Sequence, residues 1–210
     1  MKVKLTLIVV LIWGGSSFVS VCNAAQGPYL GVNGGVVSVN DIDLSGAEFR
    51  SDEGFDIGIV GGYDFGLFRM EGELSYRKNN VDEIEIDYWG NGSMNGDGDI
   101  TSTSLLVNGY FDMENNTGFT PYVGLGLGIA NIAFNNVSAL GIDLIDDDTT
   151  KTAAQLALGF SYDVTDKVVI DFSYRYFFTD DIRVKNEFNN EVHGESYDSH
   201  NAVVGLRAFF

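Results

Sequence analysis

The feature that most constrains this chain is an alternation of apolar with small or polar residues, repeated along most of its length. The segment 68–77 shows it most clearly: Phe68, Met70, Leu74 and Tyr76 share one face, and charged or polar residues occupy the other. Successive side chains of a strand point to opposite faces, so a period of two predicts a β-strand with two different sides.

Eight segments carry this pattern, and together they predict an all-β chain with one domain. They cover residues 29–39, 55–64, 68–77, 101–112, 120–130, 152–162, 168–178 and 200–210. The connections are short at 64–67, 113–118 and 163–167, and long and polar at 40–53, 79–99, 131–149 and 179–198. This arrangement is typical of an eight-stranded antiparallel up-and-down β-barrel that spans an outer membrane, with its short turns facing the periplasm.

A secreted soluble sandwich or lipocalin-like barrel is the competing prediction, because in those folds the apolar face lies inside. Large aromatic residues at both ends of the apolar face favour the membrane barrel: Phe55 and Tyr63 on one strand, Phe68 and Tyr76 on the next. Tilted strands of that length span about 20 Å, close to the apolar band between two aromatic girdles. The opposite face is rich in glycine, alanine and serine, which suits the narrow lumen of an eight-stranded barrel.

The C-terminal strand and three short motifs resemble a known family. The residues concerned are Ala202, Val204, Leu206, Ala208 and Phe210, together with 121–126 (Pro-Tyr-Val-Gly-Leu-Gly), 174–176 (Tyr-Arg-Tyr) and 205–207 (Gly-Leu-Arg). With these motifs the chain resembles the opacity-type, porin-like family of small outer-membrane β-barrels. The resemblance implies an eight-stranded barrel with surface loops, and it transfers no catalytic residue. It also implies that the terminal Phe210 belongs to the signal read by the outer-membrane barrel assembly machinery.

The N-terminal residues predict a secretory signal peptide at 1–24, which leaves residues 25–210 as the barrel domain. Two lysines precede an apolar run at 5–13, too short for the roughly 20 residues of a membrane-spanning helix. A small-x-small pattern ending at Ala24 then marks the predicted cleavage site. Because Cys22 is the only cysteine, we expect no disulfide and no thiol chemistry after cleavage.

The chain is strongly acidic, with a formal net charge of −18. This charge argues against nucleic acid as a partner, because such binding depends on neutralising phosphates. Most of the acidic residues fall in the four predicted loops, most densely at 82–87 and 146–148. We interpret them as a solvated, mutually repelling surface, with divalent-cation binding as the alternative. The run 95–99 imitates the start of a calcium loop but lacks its later glycine and closing glutamate, so the sequence predicts no metal site and no cofactor.

Charged residues on the inward faces would share one lumen. They are Asp56, Arg69, Glu71, Glu73, Arg77, Asp171, Arg175 and Arg207. Charges in a low-dielectric interior must pair or reach water. Because an eight-stranded lumen is barely wider than its side chains, we favour a salt-bridged plug over the alternative of a narrow, gated ion path. We also expect the turn at 64–67 to pair Tyr63 with Phe68, which would set Gly62 opposite Arg69.

The predicted function is a structural, antigenic or adhesive role at the cell surface, exercised through the acidic loops. Outer-membrane lipid and a host or cell-surface ligand are the expected partners, since loops on a rigid scaffold concentrate binding function. A low-conductance porin is the first alternative, and a lipid A-modifying barrel enzyme is the second. The enzyme hypothesis rests on His193 and His200, which lie with serine and acidic residues in one loop. A catalytic site needs such groups to converge geometrically, so the chain is not predicted to be an enzyme.

Overall fold

The computed structural model describes residues 26–39, 42–44, 47–51, 54–86, 92–113, 115, 117–139, 142–180, 183–185, 191–193 and 196–210. The signal peptide predicted at 1–24 lies outside these residues, and its cleavage stays a prediction. Within the described residues, no helix is long and apolar enough to cross a membrane.

All regular structure in this part of the chain is β-strand. The strands are β1 (Gly27–Val39), β2 (Ile42–Leu44), β3 (Ala47–Ser51), β4 (Gly54–Asp64), β5 (Phe68–Ile86), β6 (Gly92–Asp112), β7 (Phe119–Ala139), β8 (Ile142–Thr165), β9 (Val168–Thr179), β10 (Arg183–Lys185), β11 (Glu191–His193) and β12 (Asp198–Phe209). The eight strands β1, β4, β5, β6, β7, β8, β9 and β12 each pair antiparallel with their neighbours in the chain. The pairing of β1 with β12 closes the ring, which confirms the eight-stranded antiparallel barrel.

The turn between β4 and β5 differs in register from the prediction. Tyr63 lies opposite Met70, not Phe68, and Gly62 lies opposite Glu71, not Arg69. The backbone N–H of Phe65 donates to the carbonyl of Phe68 (2.8 Å), and Gly66 takes a positive φ of 96°. The Asp64 carboxylate accepts a hydrogen bond from the Gly66 N–H (2.8 Å), which fixes this turn. The error spans two residues, so every side chain keeps its predicted face.

The predicted loops at 79–99 and 131–149 are wrong in another respect: most of their residues continue the barrel strands. One pair of strands, β5 and β6, stays paired as far as Ile86 and Gly92, and β7 and β8 stay paired as far as Ala139 and Ile142. Register shifts interrupt these extensions, for example between Asn80 and Glu83. The sequence of these extensions lacks the alternation, although the backbone pairing continues. Short strands also occupy the predicted loops at 40–53 and 179–198.

The two ends of the barrel therefore differ. The end with the connections around 65–67, 113–118 and 166–167 is called the turn end below, and the opposite end, with the long strand extensions, is called the hairpin end. The side chains of the acidic stretch 82–87 lie outside the described residues, as do those of 146 and 147. Asp148 is described, and its carboxylate accepts a hydrogen bond from Asn131 Nδ2 (2.8 Å).

The outward face of the barrel wall is apolar and exposed along its length. Examples from four strands are Leu30, Ile59, Leu125 and Leu158, each more than half exposed. Aromatic rings cluster at both ends of this face. At the turn end they include Tyr63, Phe65, Phe68, Phe111, Phe119 and Phe160, and at the hairpin end Phe55, Tyr76, Tyr174, Tyr176 and Phe178. An apolar wall between two aromatic belts is the surface that a bilayer covers.

A charge on this wall distinguishes a lipid-facing surface from a water-facing one. Leu158 is 61% exposed, so in water Leu158→Arg would change stability by no more than about 0.5 kcal/mol. In a bilayer we expect the same substitution to lower the free energy of unfolding by about 2–4 kcal/mol. Thr150→Arg, at an exposed position on the extension of β8, is the matched control and should have little effect. Urea unfolding of barrels folded into lipid vesicles measures the free energy of unfolding of both variants. Equal stability of the two variants would contradict a lipid-covered wall.

Candidate functional site in the barrel lumen

The inward face is built so that long polar side chains can cross a narrow lumen. Strand β7 contributes Gly124 and Gly126 to this face, directly beneath side chains of β6. A Cβ at Gly126 would lie 2.0 Å from Asn108 Oδ1, and one at Gly124 would lie 2.4 Å from the Tyr110 ring. Glycine is therefore required at both positions, because the neighbouring polar side chains occupy that space.

The centre of the lumen is the carboxylate of Glu73, which is fully buried. Arg175 Nη1 of β9 donates to Glu73 Oε1 at 2.8 Å, across the barrel from β5. Asn108 Nδ2 and Gln155 Nε2 donate to the other oxygen, at 2.7 and 3.4 Å. One carboxylate thus joins four strands, β5, β6, β8 and β9.

At the turn end, two arginines each bind a carboxylate of the adjacent strand. Arg207 donates to both oxygens of Asp171, at 2.7 and 3.0 Å. Its Nη1 also lies 3.5 Å from Asp64 Oδ2. Arg69 donates to both oxygens of Asp112, each at 3.2 Å. This forked geometry suits the planar guanidinium group and fixes its orientation.

At the hairpin end, Arg77 is fully buried and makes contacts in three directions. Its Nε lies 3.3 Å from Asp56 Oδ2, and its Nη1 donates to Ser104 Oγ at 3.0 Å. Its Nη2 donates to Gln155 Oε1 at 3.4 Å, which links Arg77 to the group around Glu73. The guanidinium also lies 4.2 Å from the centre of the Phe177 ring, a favourable cation–π distance.

Among the described side chains, the lumen buries more carboxylates than guanidinium groups. The six acids are Asp56, Asp64, Glu71, Glu73, Asp112 and Asp171, and the four bases are Arg69, Arg77, Arg175 and Arg207. Neutral hydrogen-bond donors stabilise carboxylates for which the arginines are too few, most clearly at Glu71. The hydroxyls of Tyr29 and Tyr110 donate to the Glu71 carboxylate at 2.9 and 3.2 Å. These hydrogen bonds satisfy acceptor positions of a buried carboxylate that water cannot reach.

Apolar and aromatic side chains fill the rest of the lumen. Phe177, Tyr197, Ile100 and Ile132 are buried towards the hairpin end, and Tyr29, Val169 and Phe209 are buried towards the turn end. A cavity beside Asn33, Glu71 and Tyr110 measures about 20 Å³, enough for about one water molecule. Among the described residues, this part of the interior is therefore closely packed.

All eight side chains named from the sequence lie inside the barrel, and the structure brings each of them into an ion pair. Asp64 and Asp112 were not among the predicted lumen charges, although the alternation places both on the inward face at the ends of their strands. The sequence reasoning also missed the neutral members Tyr29, Asn108, Tyr110 and Gln155.

Two further predictions concern residues outside the lumen. Phe210 follows β12 and is exposed, and its part in assembly stays a prediction. His200 lies on the outward face, where its Nδ1 and the Tyr174 hydroxyl are 2.5 Å apart. The side chain of His193 lies outside the described residues. In the part of the chain that the structure describes, no cluster of three or more His, Cys, Asp or Glu side chains could hold a metal ion.

A closed barrel with an apolar outer wall is the architecture of outer-membrane proteins, and the sequence agrees with it. The profile of the outer membrane protein beta-barrel domain family matches residues 11–210. This chain belongs to that family. It is accordingly a protein of the bacterial outer membrane, and the predicted localisation and the resemblance to small outer-membrane barrels are confirmed.

Three relatives illustrate the similarity. The outer membrane protein PagN of Salmonella typhimurium is 32% identical over 105 residues, which are 48% of this chain and 44% of PagN. A Rickettsia bellii protein named "Putative adhesin" is 31% identical over 119 residues, covering 50% of this chain and 51% of the relative. The chain thus spans about half the length of these curated relatives. The crystal structure of Neisserial surface protein A covers 88% of this chain and 98% of its own, with a TM-score of 0.58 and 20% identity, a likeness of fold.

The ion pair at the centre of the lumen can be tested by a double-mutant cycle. Removing one partner of a buried pair leaves an uncompensated charge, so Glu73→Gln and Arg175→Met should each cost about 3–5 kcal/mol of unfolding free energy. The double variant should cost less than the sum of the two, because it leaves neither charge alone. Lys78→Met with Asp99→Asn, at a half-exposed pair 3.2 Å apart, is the control and should show a coupling of about 1 kcal/mol or less. Additive losses at Glu73 and Arg175 would contradict the pairing.

Proposed function

We propose that this protein is a surface adhesin: a closed, rigid barrel that holds β-hairpins outside the cell, where they contact a partner on another surface. The observation that carries the proposal is the contrast between the two parts of the barrel. In the part of the chain that the structure describes, buried side chains occupy the lumen, whereas the strands β5, β6, β7 and β8 extend well past the apolar wall. We therefore expect the protein to act through its outer surface and not as a channel.

The orientation follows from the connections. Outer-membrane barrels place short turns in the periplasm and long connections outside. We therefore assign the turn end to the periplasm and the hairpin end to the cell exterior. Along β6, the segment from Thr101 back to Gly92 adds roughly 30 Å of extended chain beyond the wall. By contrast, β1 ends at Val39 and β9 at Thr179, so the extensions rise from one half of the barrel.

The relatives support the same function. The Rickettsia protein carries an adhesin name and shares about half its length with this chain. We propose the adhesive role for this chain as well. The proposal covers only the aligned half of each relative, because the other half has no counterpart in the alignment. The acidic composition of the predicted loops favours a partner with basic groups, since complementary charge speeds and orients association.

We also propose that the protein is not an enzyme and that its charged interior is a structural plug. Among the described residues, the charged side chains buried in the lumen lie in ion pairs with one another, as in Arg207 with Asp171 and Arg69 with Asp112. A catalytic group must be able to reach a substrate, and these groups are enclosed by the barrel wall.

Shortening the hairpins tests the adhesive role without disturbing the barrel. Ala133 pairs with Asp148, and Asn80 pairs with Asp99, so residues 134–147 and 81–98 can each be replaced by an Asn-Gly turn. We expect non-adherent bacteria that express the full chain to bind epithelial monolayers, and the doubly shortened barrel to bind at the level of empty cells.

The control replaces residues 114–117 at the turn end by the same Asn-Gly turn and should leave binding unchanged. Correct folding of each variant is checked by the different gel mobility of unboiled and boiled samples, since a closed barrel resists unfolding. Unchanged adherence of a correctly folded, doubly shortened barrel would overturn the proposal.

A further inference from the structure

The outer wall of the barrel carries an apolar groove on β1, β4, β5 and β12, closed on one side by β6. Its volume is about 590 Å³. Gly61 and Gly72 form part of its floor, and Ile59, Leu74, Leu105 and Leu206 form its sides. These residues belong to the face that points away from the lumen, so the groove opens sideways from the barrel.

The groove exists because two outward glycines lie directly opposite each other. Gly61 of β4 pairs with Gly72 of β5, so one row of the wall lacks two neighbouring side chains. A glycine inside a strand weakens it and usually marks a bulge, a bend or the close approach of another molecule. The pairing of β4 with β5 runs without a register shift from Phe55 to Asp64, which excludes a bulge here. A Cβ at Gly61 would lie 3.0 Å from Leu30 Cδ2, so Leu30 covers part of this position, and the open space of the row lies over Gly72. This space admits the close approach of another molecule.

The position of the groove identifies the chemistry of that molecule. Gly72 lies four residues from Phe68, in the aromatic belt at the turn end, and four residues from Tyr76, in the opposite belt. The groove is therefore inside the apolar band, near its middle. Only apolar groups are available at this depth, and lipid acyl chains are the most abundant of them.

The size of the groove distinguishes an acyl chain from a protein partner. A stable protein interface takes about 20–30 residues from each side. The groove has about a dozen lining residues, and several contribute little more than backbone. A slender molecule fits it, whereas a second barrel would need a much wider contact.

We propose that this groove binds one acyl chain of a phospholipid. The lipid is held by burial of its methylene groups against Leu30, Ile59, Leu74 and Leu206 and against the bare backbone at Gly72. The groove itself does not depend on the adhesive function, so either proposal can fail alone.

Filling the groove from its floor tests the proposal. A Cβ at Gly72 would meet only Gly61 O, at 3.8 Å, so Gly72→Leu can be accommodated by the wall and would project into the groove. Gly109 is the matched control: it also faces outward, has nothing within 4 Å of an added Cβ, and does not line the groove. Gly72→Ala, which fills the groove only in part, guards against a folding defect specific to leucine.

The measurement is native mass spectrometry of barrels taken from vesicles of phosphatidylethanolamine and phosphatidylglycerol into mild detergent. We expect the unmodified chain and Gly109→Leu to retain one phospholipid. Because the leucine side chain would displace about two buried methylene groups of the lipid, Gly72→Leu should retain about tenfold less phospholipid, with Gly72→Ala between them. Equal lipid retention by Gly72→Leu and Gly109→Leu would overturn the proposal. So would a dimer of the unmodified chain that Gly72→Leu abolishes, because the groove would then hold a second copy.

Discussion

The ion pair between Glu73 and Arg175 is the interaction on which the interior of this barrel depends. It joins β5 to β9 across the lumen, over 102 residues of sequence, and its partners Asn108 and Gln155 bring in two further strands. A buried charge without a partner is strongly unfavourable, so the wall positions must stay in register to keep the pair intact. Such pairs contribute little net stability compared with apolar packing, but they make wrong registers costly. The glycines of β7 follow from the same constraint, because crossing side chains need space.

Most of the fold could be predicted from the sequence because lipid outside and a packed lumen inside impose different residue types on alternate positions. This contrast is strong along the segment 68–77 and weak along the strand extensions. The prediction therefore failed at 79–99, where backbone pairing continues to Ile86 without alternation. It also failed at the turn after Asp64, where a carboxylate and a positive-φ glycine set the register. Neither the continued pairing nor the turn geometry leaves a periodic pattern in the sequence.

The charged members of the candidate site could be predicted from the sequence, but their pairing could not. Inward charges such as Arg77 and Asp171 follow from the alternation alone, but their partners do not, because partner choice depends on the stagger between strands. Glu73 pairs with an arginine on β9, the fourth barrel strand after β5 in the sequence. No local sequence pattern predicts a pairing over that distance. The groove at Gly61 and Gly72 was not anticipated either, because two separate glycines become one feature only once β4 and β5 are in register.

The central claim is that the barrel is closed by its own side chains and acts through its surface. Ion conductance of the purified, folded chain in planar lipid bilayers tests it most directly. The described cavity beside Asn33 holds about one water molecule, and a hydrated ion needs far more space. We expect the folded chain to give no steady ion current above that of the bare bilayer in molar salt. A large and stable open channel from the unmodified chain would contradict it and would identify the protein as a pore.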